Sequence, residues 1–262
     1  MLTWLMALLL IASPHDGDAN GTSALDPQTV WESAVRAKGG KARLGAMTNV
    51  VRATTQRQWW GFPPRAYESE SVTLFEPPGR MWRWIDERPT KLGYYVELLD
   101  LDRGYSGTAW SSGNVAAGSP KNSIAPLREQ QLIIWLDIPG TGARPLRAWR
   151  ERWRRQAVSV VEIDLAGRTA RCTFNAAHLL VRVVFPETPD RLAKEFELDD
   201  YRPVQGIWLP HRVRANAGGL RFTQLVSYQV NVNYAPGLFS RPPSVLGGPD
   251  GWKDTGAVPP DQ

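Results

Sequence analysis

The feature that most constrains the fold is a succession of alternating polar and apolar segments separated by proline and glycine turns. The first segment, 50–60, alternates as a half-buried strand does, and Phe62-Pro63-Pro64 ends it. Turns at this short spacing favour an up-and-down antiparallel sheet over βαβ units. The strands predicted in the first half of the chain are 50–60, 67–75, 81–85, 94–101 and 105–110.

A second group of strands is predicted after residue 156. Ala166-Gly167 separates the first two of them, and Gly218-Gly219 forms a tight hairpin before the last. The segments are 157–165, 169–174, 178–185, 194–200, 207–215 and 220–232. The sequence thus predicts about eleven strands in two groups.

Helices are predicted before the first group of strands and between the two groups. Asp26-Pro27 supplies an N-cap and a first helical residue, and Gly39-Gly40 ends that helix. A short turn at 42–47 follows. The middle of the chain predicts an apolar helix at 127–136 and a basic amphipathic helix at 144–155.

The basic helix is predicted from Leu146, Trp149 and Trp153, which stand at helical spacing among arginines. Such a helix usually packs on its own domain and keeps its charges in solvent. The alternative is a lid or a contact with anionic lipid headgroups. A third reading, nucleic-acid binding through arginine and stacked tryptophan, conflicts with export and with the confinement of the cluster to one segment.

The two ends of the chain are predicted to lie outside the folded domain, which spans 26–242. Residues 1–19 read as a secretory signal, because a short apolar run precedes Gly17-Asp18-Ala19, a loose form of a cleavage site. An uncleaved N-terminal anchor is the alternative. After Phe239 the composition turns to proline, glycine and charge, so 243–262 is predicted to be a disordered tail.

The amino-acid composition gives one indication about function, the number of tryptophans. Among 262 residues there are twelve tryptophans, a surplus that suggests an aromatic-lined surface or cavity, although a large β core would also use them. The net charge of +5 permits contact with anionic partners but usually serves solubility.

No motif of catalysis or metal binding is present in the sequence. It contains no nucleophile elbow, no paired-histidine zinc motif and no phosphate-binding loop. Cys172 is the only cysteine, and neither His178 nor His211 has a second histidine at ligand spacing. Glu162 and Asp164 share one side of a strand, where a solvated face is the simpler explanation. We therefore expect a protein that is not an enzyme and needs no cofactor or metal.

Three stretches of the chain resemble the periplasmic lipoprotein-carrier family, the LolA-like superfamily. The first runs from Phe75 through Pro77-Pro78-Gly79 to Trp84, a proline turn followed by an aromatic-Arg-Trp strand. The second is Asp102-Arg103-Gly104-Tyr105 through Trp110. The third comprises Asp200-Tyr201-Arg202 and Gly206-Ile207-Trp208-Leu209-Pro210, and Asn231-Val232-Asn233 with Leu238 to Pro242 is similar to the family's closing signature.

The resemblance implies a mainly β fold: an unclosed antiparallel barrel of about eleven strands, with helices covering its concave apolar face. It also implies that Trp82 and Trp84 lie where family members place cavity aromatics. One departure concerns the lid. The family's carrier has an arginine before the proline turn that helps to hold the lid shut, and here Pro77 occupies that position.

The function that follows from the resemblance is a periplasmic carrier that binds acyl chains of lipoproteins or other lipids. We expect a monomer in a Gram-negative periplasm that exchanges cargo with a membrane-protein donor or acceptor and binds no nucleic acid. The alternative is a sensory or regulatory interaction module of the same fold. The candidate ligand contacts are Trp59, Trp82, Trp84, Trp110, Phe174, Phe185 and Phe222 on strands and Trp135 and Leu136 on the lid helix. Strand alternation does not show which side faces the cavity, because Trp59-Trp60 occupy both sides of their strand. Each of the nine residues is therefore as compatible with an ordinary core position as with a ligand contact.

Overall fold

A computed structural model describes residues 24–60, 65–88, 93–137, 143–189, 191–240 and 242–254. The predicted signal segment and the last eight residues of the chain lie outside these ranges. Two helices precede the sheet, α1 (Pro27–Lys38) and α2 (Lys41–Gly45), and a third, α3 (Pro120–Trp135), interrupts it.

The first group of strands is β1 (Val50–Trp60), β2 (Arg65–Glu76), β3 (Arg80–Asp86), β4 (Tyr94–Asp100), β5 (Tyr105–Trp110) and β6 (Val115–Gly118). The second is β7 (Ala143–Trp153), β8 (Gln156–Leu165), β9 (Thr169–Phe174), β10 (Leu180–Phe185), β11 (Lys194–Val204), β12 (Ile207–Ala217) and β13 (Leu220–Val230).

All thirteen strands belong to one antiparallel sheet that does not close. Its order is β6-β5-β4-β3-β2-β1-β13-β12-β11-β10-β9-β8-β7, so β1 and β13 join the two groups. The predicted class, an unclosed antiparallel sheet of up-and-down strands, is confirmed. Because β6 and β7 lie at opposite edges, the segment between them must cross the sheet, and α3 is that crossing.

Helix α1 is defined by its ends. The Asp26 carboxylate accepts a hydrogen bond from the Thr29 backbone N–H at 2.9 Å, and Pro27 begins the helix. At its end Gly39 has a φ of 147°, and a Cβ there would lie 3.0 Å from the Gly206 carbonyl oxygen. Glycine is therefore required where α1 meets the turn between β11 and β12.

The sheet has an apolar core on each face. The main core lies between α1, α3 and the face of the sheet that we call inner. It joins Trp31 of α1, Leu132 of α3 and Phe196 of β11. The opposite, outer face of β1 to β4 carries a second core, formed by Val51, Leu74, Trp82, Trp84, Val96 and Leu98 together with Phe239 and Trp252.

The predicted basic helix at 144–155 is wrong, because that segment forms β7 and its turn. A bulge between Pro145 and Arg147 breaks the two-residue alternation that would have indicated a strand. The partners are distant in sequence: Arg147 donates two hydrogen bonds of 2.9 Å to Glu162 of β8. Pairing with β8 decides the structure, and the helical spacing of the tryptophans is incidental.

The C-terminal segment differs from the predicted tail over 243–254. Residues 242–254 cross the outer face and include a short helical turn, Gly248–Asp250. Trp252 is only 4% exposed, and its carbonyl accepts a hydrogen bond from the Ala235 N–H at 2.9 Å. Trp252, the buried Pro243, and Val245, which packs against the second core, hold this segment of otherwise polar composition on the sheet.

Two smaller differences complete the comparison. Helix α3 begins at Pro120, seven residues before the predicted start, and contains Pro126. β6 has no alternating pattern and was not predicted; together with β7 it raises the strand count from about eleven to thirteen.

Candidate functional site

Helix α3 occupies the inner face of the open sheet. Its last turns are buried on all sides: Leu132, Ile134 and Trp135 have no exposed surface. A helix at a protein surface exposes one side to water, so burial of this kind places the end of α3 within the main core. The inner face is thus filled by the chain's own helix.

A buried carboxylate ties the middle of α3 to the second group of strands. Glu129 forms ion pairs with Arg168, in the turn before β9, and with Lys194 Nζ at 2.9 Å, at the start of β11. Burial lowers the pKa of Lys194, and two neighbouring arginines lower it further. Loss of Glu129 would leave two cations close together with no carboxylate between them.

A buried arginine ties α3 to the first group. Arg52 of β1 donates hydrogen bonds to Gln130 of α3 and to Gln224 of β13. Burial lowers the pKa of this guanidinium. Arg52 thus connects the helix to both strands at the junction of the two groups.

A glutamine of α3 contacts the proline turn between β2 and β3. Gln131 Nε2 donates a hydrogen bond to the Pro78 carbonyl at 3.3 Å.

A buried lysine connects the ends of α1 and α3. Lys38 Nζ donates to the Ile133 carbonyl at 2.9 Å and lies 6.0 Å from the centre of the Tyr201 ring. The last carbonyls of a helix have no partner within it and carry partial negative charge, which favours a cation or N–H donor there. Burial lowers the Lys38 pKa to about 7.

The inner face of the first group of strands is polar beyond α3. Gln224 donates to Gln56 at 2.7 Å, and Gln56 donates to Gln58 at 3.0 Å. Arg83 and Glu97, paired across β3 and β4, form a salt bridge at 3.3 Å. Helix α3 contacts β4 and β5 of the first group and is paired through Glu129 with the second, and the main core on this face takes apolar residues from both groups.

Five of the nine predicted ligand contacts lie in the main core or pack against it. Trp135, Leu136, Phe174 and Phe185 belong to the main core, and Phe222 packs against it. Two tryptophans come from neither core: Trp59 is 40% exposed on the outer face of β1, and Trp110 is half-buried at the end of β5.

Trp82 and Trp84 lie on the opposite side of the sheet from α3. They alternate with Met81, which faces the main core, and are covered by Phe239 and Trp252. The sequence could not assign their side, because the segment that covers them was predicted to be disordered. The sequence analysis did not identify Lys38, Arg52 and Glu129 as buried residues of the site. Lys38 alone gave a signal, as a charged residue on the otherwise apolar side of its helix.

A groove of about 1000 Å³ lies beside the turn between β12 and β13. The strand register places Trp59, Arg221 and Asn216 side by side on the outer face, with Glu195 next to them. Its lining also includes Ala215, which belongs to the main core, and Phe222, which packs against that core, so the groove lies next to the edge of the main core.

Two observations concern other classes of site. Within the described ranges, no three His, Cys, Asp or Glu side chains come together as metal ligands would. No helix in the same ranges is both long enough and apolar enough to cross a bilayer.

Comparison with known proteins identifies the fold. No family model matches the sequence, and no curated protein matches it either. Solved structures do match. A LolA superfamily protein from Nitrosomonas europaea has a TM-score of 0.55 at 15% identity, over 83% of this chain and 99% of that one. A putative outer membrane lipoprotein-sorting protein domain from Vibrio parahaemolyticus has a TM-score of 0.56 at 11% identity, over 82% and 97%.

A third solved structure, a DUF1329 family protein from Desulfovibrio piger, has a TM-score of 0.53 at 12% identity, over 82% of this chain and 98% of that one. The class defined by these matches is that of proteins with the LolA-like fold. The resemblance read from the sequence motifs is thereby confirmed at the level of the fold.

Proposed function

We propose that this protein binds the acyl chain of a lipid or lipoprotein on the inner face of its half-barrel, in the place that α3 fills when no ligand is bound. The observation that carries the proposal is the burial of the end of α3 in the main core of an unclosed sheet. Withdrawal of the helix would leave an apolar, aromatic surface that includes Phe174, Phe185 and Phe222.

The contacts of α3 suit a helix that moves as a unit. No sheet hydrogen bonds hold it; side chains do, through Glu129, Gln130 and Gln131, and Lys38 holds its end. An acyl chain gains about 0.8 kcal/mol for each methylene that it buries, so ten methylenes would offset roughly 8 kcal/mol of lost helix packing. A carrier needs closed and open states that differ by a few kcal/mol, and this balance permits that.

The place of action follows from the same proposal. One matched structure is described as an outer membrane lipoprotein-sorting protein domain, and residues 1–19 read as an export signal. We infer that the chain works in the periplasm without catalysis, takes its cargo from a membrane protein and delivers it to another. Trp82 and Trp84 have no part in the proposed site, since they pack on the other face.

The test is native mass spectrometry of the exported protein, followed by extraction with organic solvent. Phe222→Glu puts a charge on the inner face of β13. Leu225→Glu, on the outer face of the same strand, is the matched control, since Leu225 is 59% exposed. We expect a one-to-one adduct that extracts as acylated material, retained by Leu225→Glu and lost in Phe222→Glu.

Two results would contradict the proposal. An unmodified mass that stays unchanged after incubation with lipids and lipopeptides would favour a sensory module that binds a partner protein. Equal lipid content in the two variants would place any bound lipid elsewhere than on the inner face.

A further inference from the structure

We propose that one end of the sheet docks on an anionic membrane surface. This end, which we call the tip, comprises the last residues of β1 and β12 and the first residues of β2, β11 and β13. The proposal concerns the outside of the protein and does not depend on what the half-barrel holds.

Apolar side chains are exposed at the tip. Trp59 is 40% exposed, Leu220 39% and Leu192 61%. They come from separate parts of the chain. Trp59 and Leu220 line the groove at the β12–β13 hairpin, and Leu192 packs so closely on that hairpin that a Cβ on Gly218 would lie 2.5 Å from it. The Gly218 N–H also bonds to the Ala193 carbonyl at 3.3 Å, which fixes the hairpin against the segment that carries Leu192.

Arginines without a carboxylate partner surround this apolar group. Arg57 lies over the Trp59 ring, 5.5 Å from its centre, and Arg221 stands opposite Trp59 in the strand register. Neither forms an ion pair with any residue in the described ranges. Arg65, the first residue of β2, is also exposed.

Two acidic residues near the tip are already paired. Glu195 pairs with Arg182 at 2.6 Å, and Glu197 pairs with Arg154 at 2.6 Å and with Arg214 at 3.3 Å. Two others form no ion pair in the described ranges: Glu68, opposite Arg57 in the register, and Glu187, in the segment that carries Leu192. The arginines without a carboxylate partner, Arg57, Arg65 and Arg221, outnumber these two carboxylates.

This combination fits a membrane surface better than a soluble anion. Tryptophan is enriched at the boundary between headgroups and acyl chains, where its ring is half in water. Each arginine near an anionic surface improves binding about fivefold. A soluble anion would use the arginines but would leave Leu192 and Leu220 exposed to water.

The same chain supplies a matched control. Trp208 is exposed to the same extent as Trp59, 40%, but it lies at the beginning of β12, at the opposite end of the strand from the hairpin. Arg202 of β11 is an exposed arginine near that opposite end, where Pro203 pairs with Trp208; unlike the arginines of the tip it forms an ion pair, with Asp200 at 2.7 Å. If any exposed tryptophan or arginine contributed to membrane binding, substitutions at the two ends of the sheet would weaken binding equally.

The experiment is flotation of the exported protein with vesicles of phosphatidylcholine, with and without phosphatidylglycerol. Arg57→Gln with Arg221→Gln should weaken binding to the anionic vesicles about 30-fold, and Trp59→Ala with Leu220→Ala about tenfold or more. Trp208→Ala and Arg202→Gln should bind as the unchanged protein does. Any contribution of residues 1–19 is the same in all five proteins and cancels.

The salt dependence of binding separates the electrostatic contribution of the arginines from the apolar contribution of Trp59 and Leu220. Raising the salt from about 0.1 M to about 1 M shortens the screening length from about 10 Å to about 3 Å, so the effect of the arginine variants should disappear while that of Trp59 and Leu220 remains. Circular dichroism confirms folding of each variant. Equal binding to neutral and anionic vesicles, or losses as large in Trp208→Ala as in the tip variants, would overturn the proposal.

Discussion

Replacement of Glu129 by glutamine tests whether α3 is a separately moving element. The change keeps the size of the side chain and removes its charge, so Arg168 and Lys194 lose the carboxylate that both contact. Breaking a buried ion pair by removing one partner costs about 3–5 kcal/mol. We expect about 3 kcal/mol, because the glutamine carbonyl still accepts a hydrogen bond and Lys194 is partly exposed.

The structure determines where that cost should appear. If α3 leaves the sheet as a unit, the closed state alone contains the Glu129 contacts, and a loss of 3 kcal/mol raises the open population about 150-fold. Native-state hydrogen exchange measures this population residue by residue. Amides of α3 should exchange about 150-fold faster in the variant. Amides of β11 and β12 that exchange only from the unfolded chain should accelerate by the same factor, because that chain also lacks the Glu129 contacts, but they should remain slower than those of α3.

Glu32→Gln provides the control, since Glu32 lies on the exposed side of α1. It should leave exchange in α3 unchanged. If the amides of α3 and the slowest amides of the sheet have the same free energy of exchange, the helix unfolds only with the whole domain. The reasoning that treats it as a lid would then be refuted.

Two further predictions concern buried side chains. Trp252→Ala should lower the free energy of unfolding by about 3–5 kcal/mol in urea titrations, whereas Trp208→Ala, at 40% exposure, should change it by less than about 1 kcal/mol; equal effects would mean that the C-terminal segment does not cover the second core. Lys38 has its pKa lowered by burial to about 7 from 10.5, so between these values the unfolded chain binds more protons and stability rises with pH. From about pH 7 to about pH 9 this contribution is roughly 2 kcal/mol, and Lys38→Met should remove it from the measured pH dependence; the same slope in both proteins would assign it to other groups.

The sheet could be predicted because its signal is local. Alternation and turns identify a strand without knowledge of its partner, and all eleven predicted strands have counterparts. The segment that forms β7 was predicted to be a helix because a bulge interrupts its alternation. Its arginines are also held by distant partners, as Arg147 is by Glu162, fifteen residues further along the chain. β6 has only four residues and no alternation at all.

The site was harder to predict than the fold because a ligand surface depends on which face of the sheet is covered. Trp82 and Phe174 are both strand aromatics, and only the positions of α3 and Trp252 separate them into two cores. The residues that hold α3, Arg52 and Glu129, are charged, and the sequence analysis did not single them out. Their burial follows from partners contributed by distant strands, which no local pattern contains.

A sheet that stops instead of closing leaves an unpaired row of backbone groups at each edge, to which another chain can add a strand. The two edges of this sheet resist that in different ways. β6 offers only four residues. β7 is long, but it carries Pro145 and several arginines, bends at its bulge, and has the Leu25 N–H already bound to the Ala148 carbonyl at 3.1 Å. The sheet can therefore stay open for its helix while its two edges offer little free backbone with which a second copy could pair.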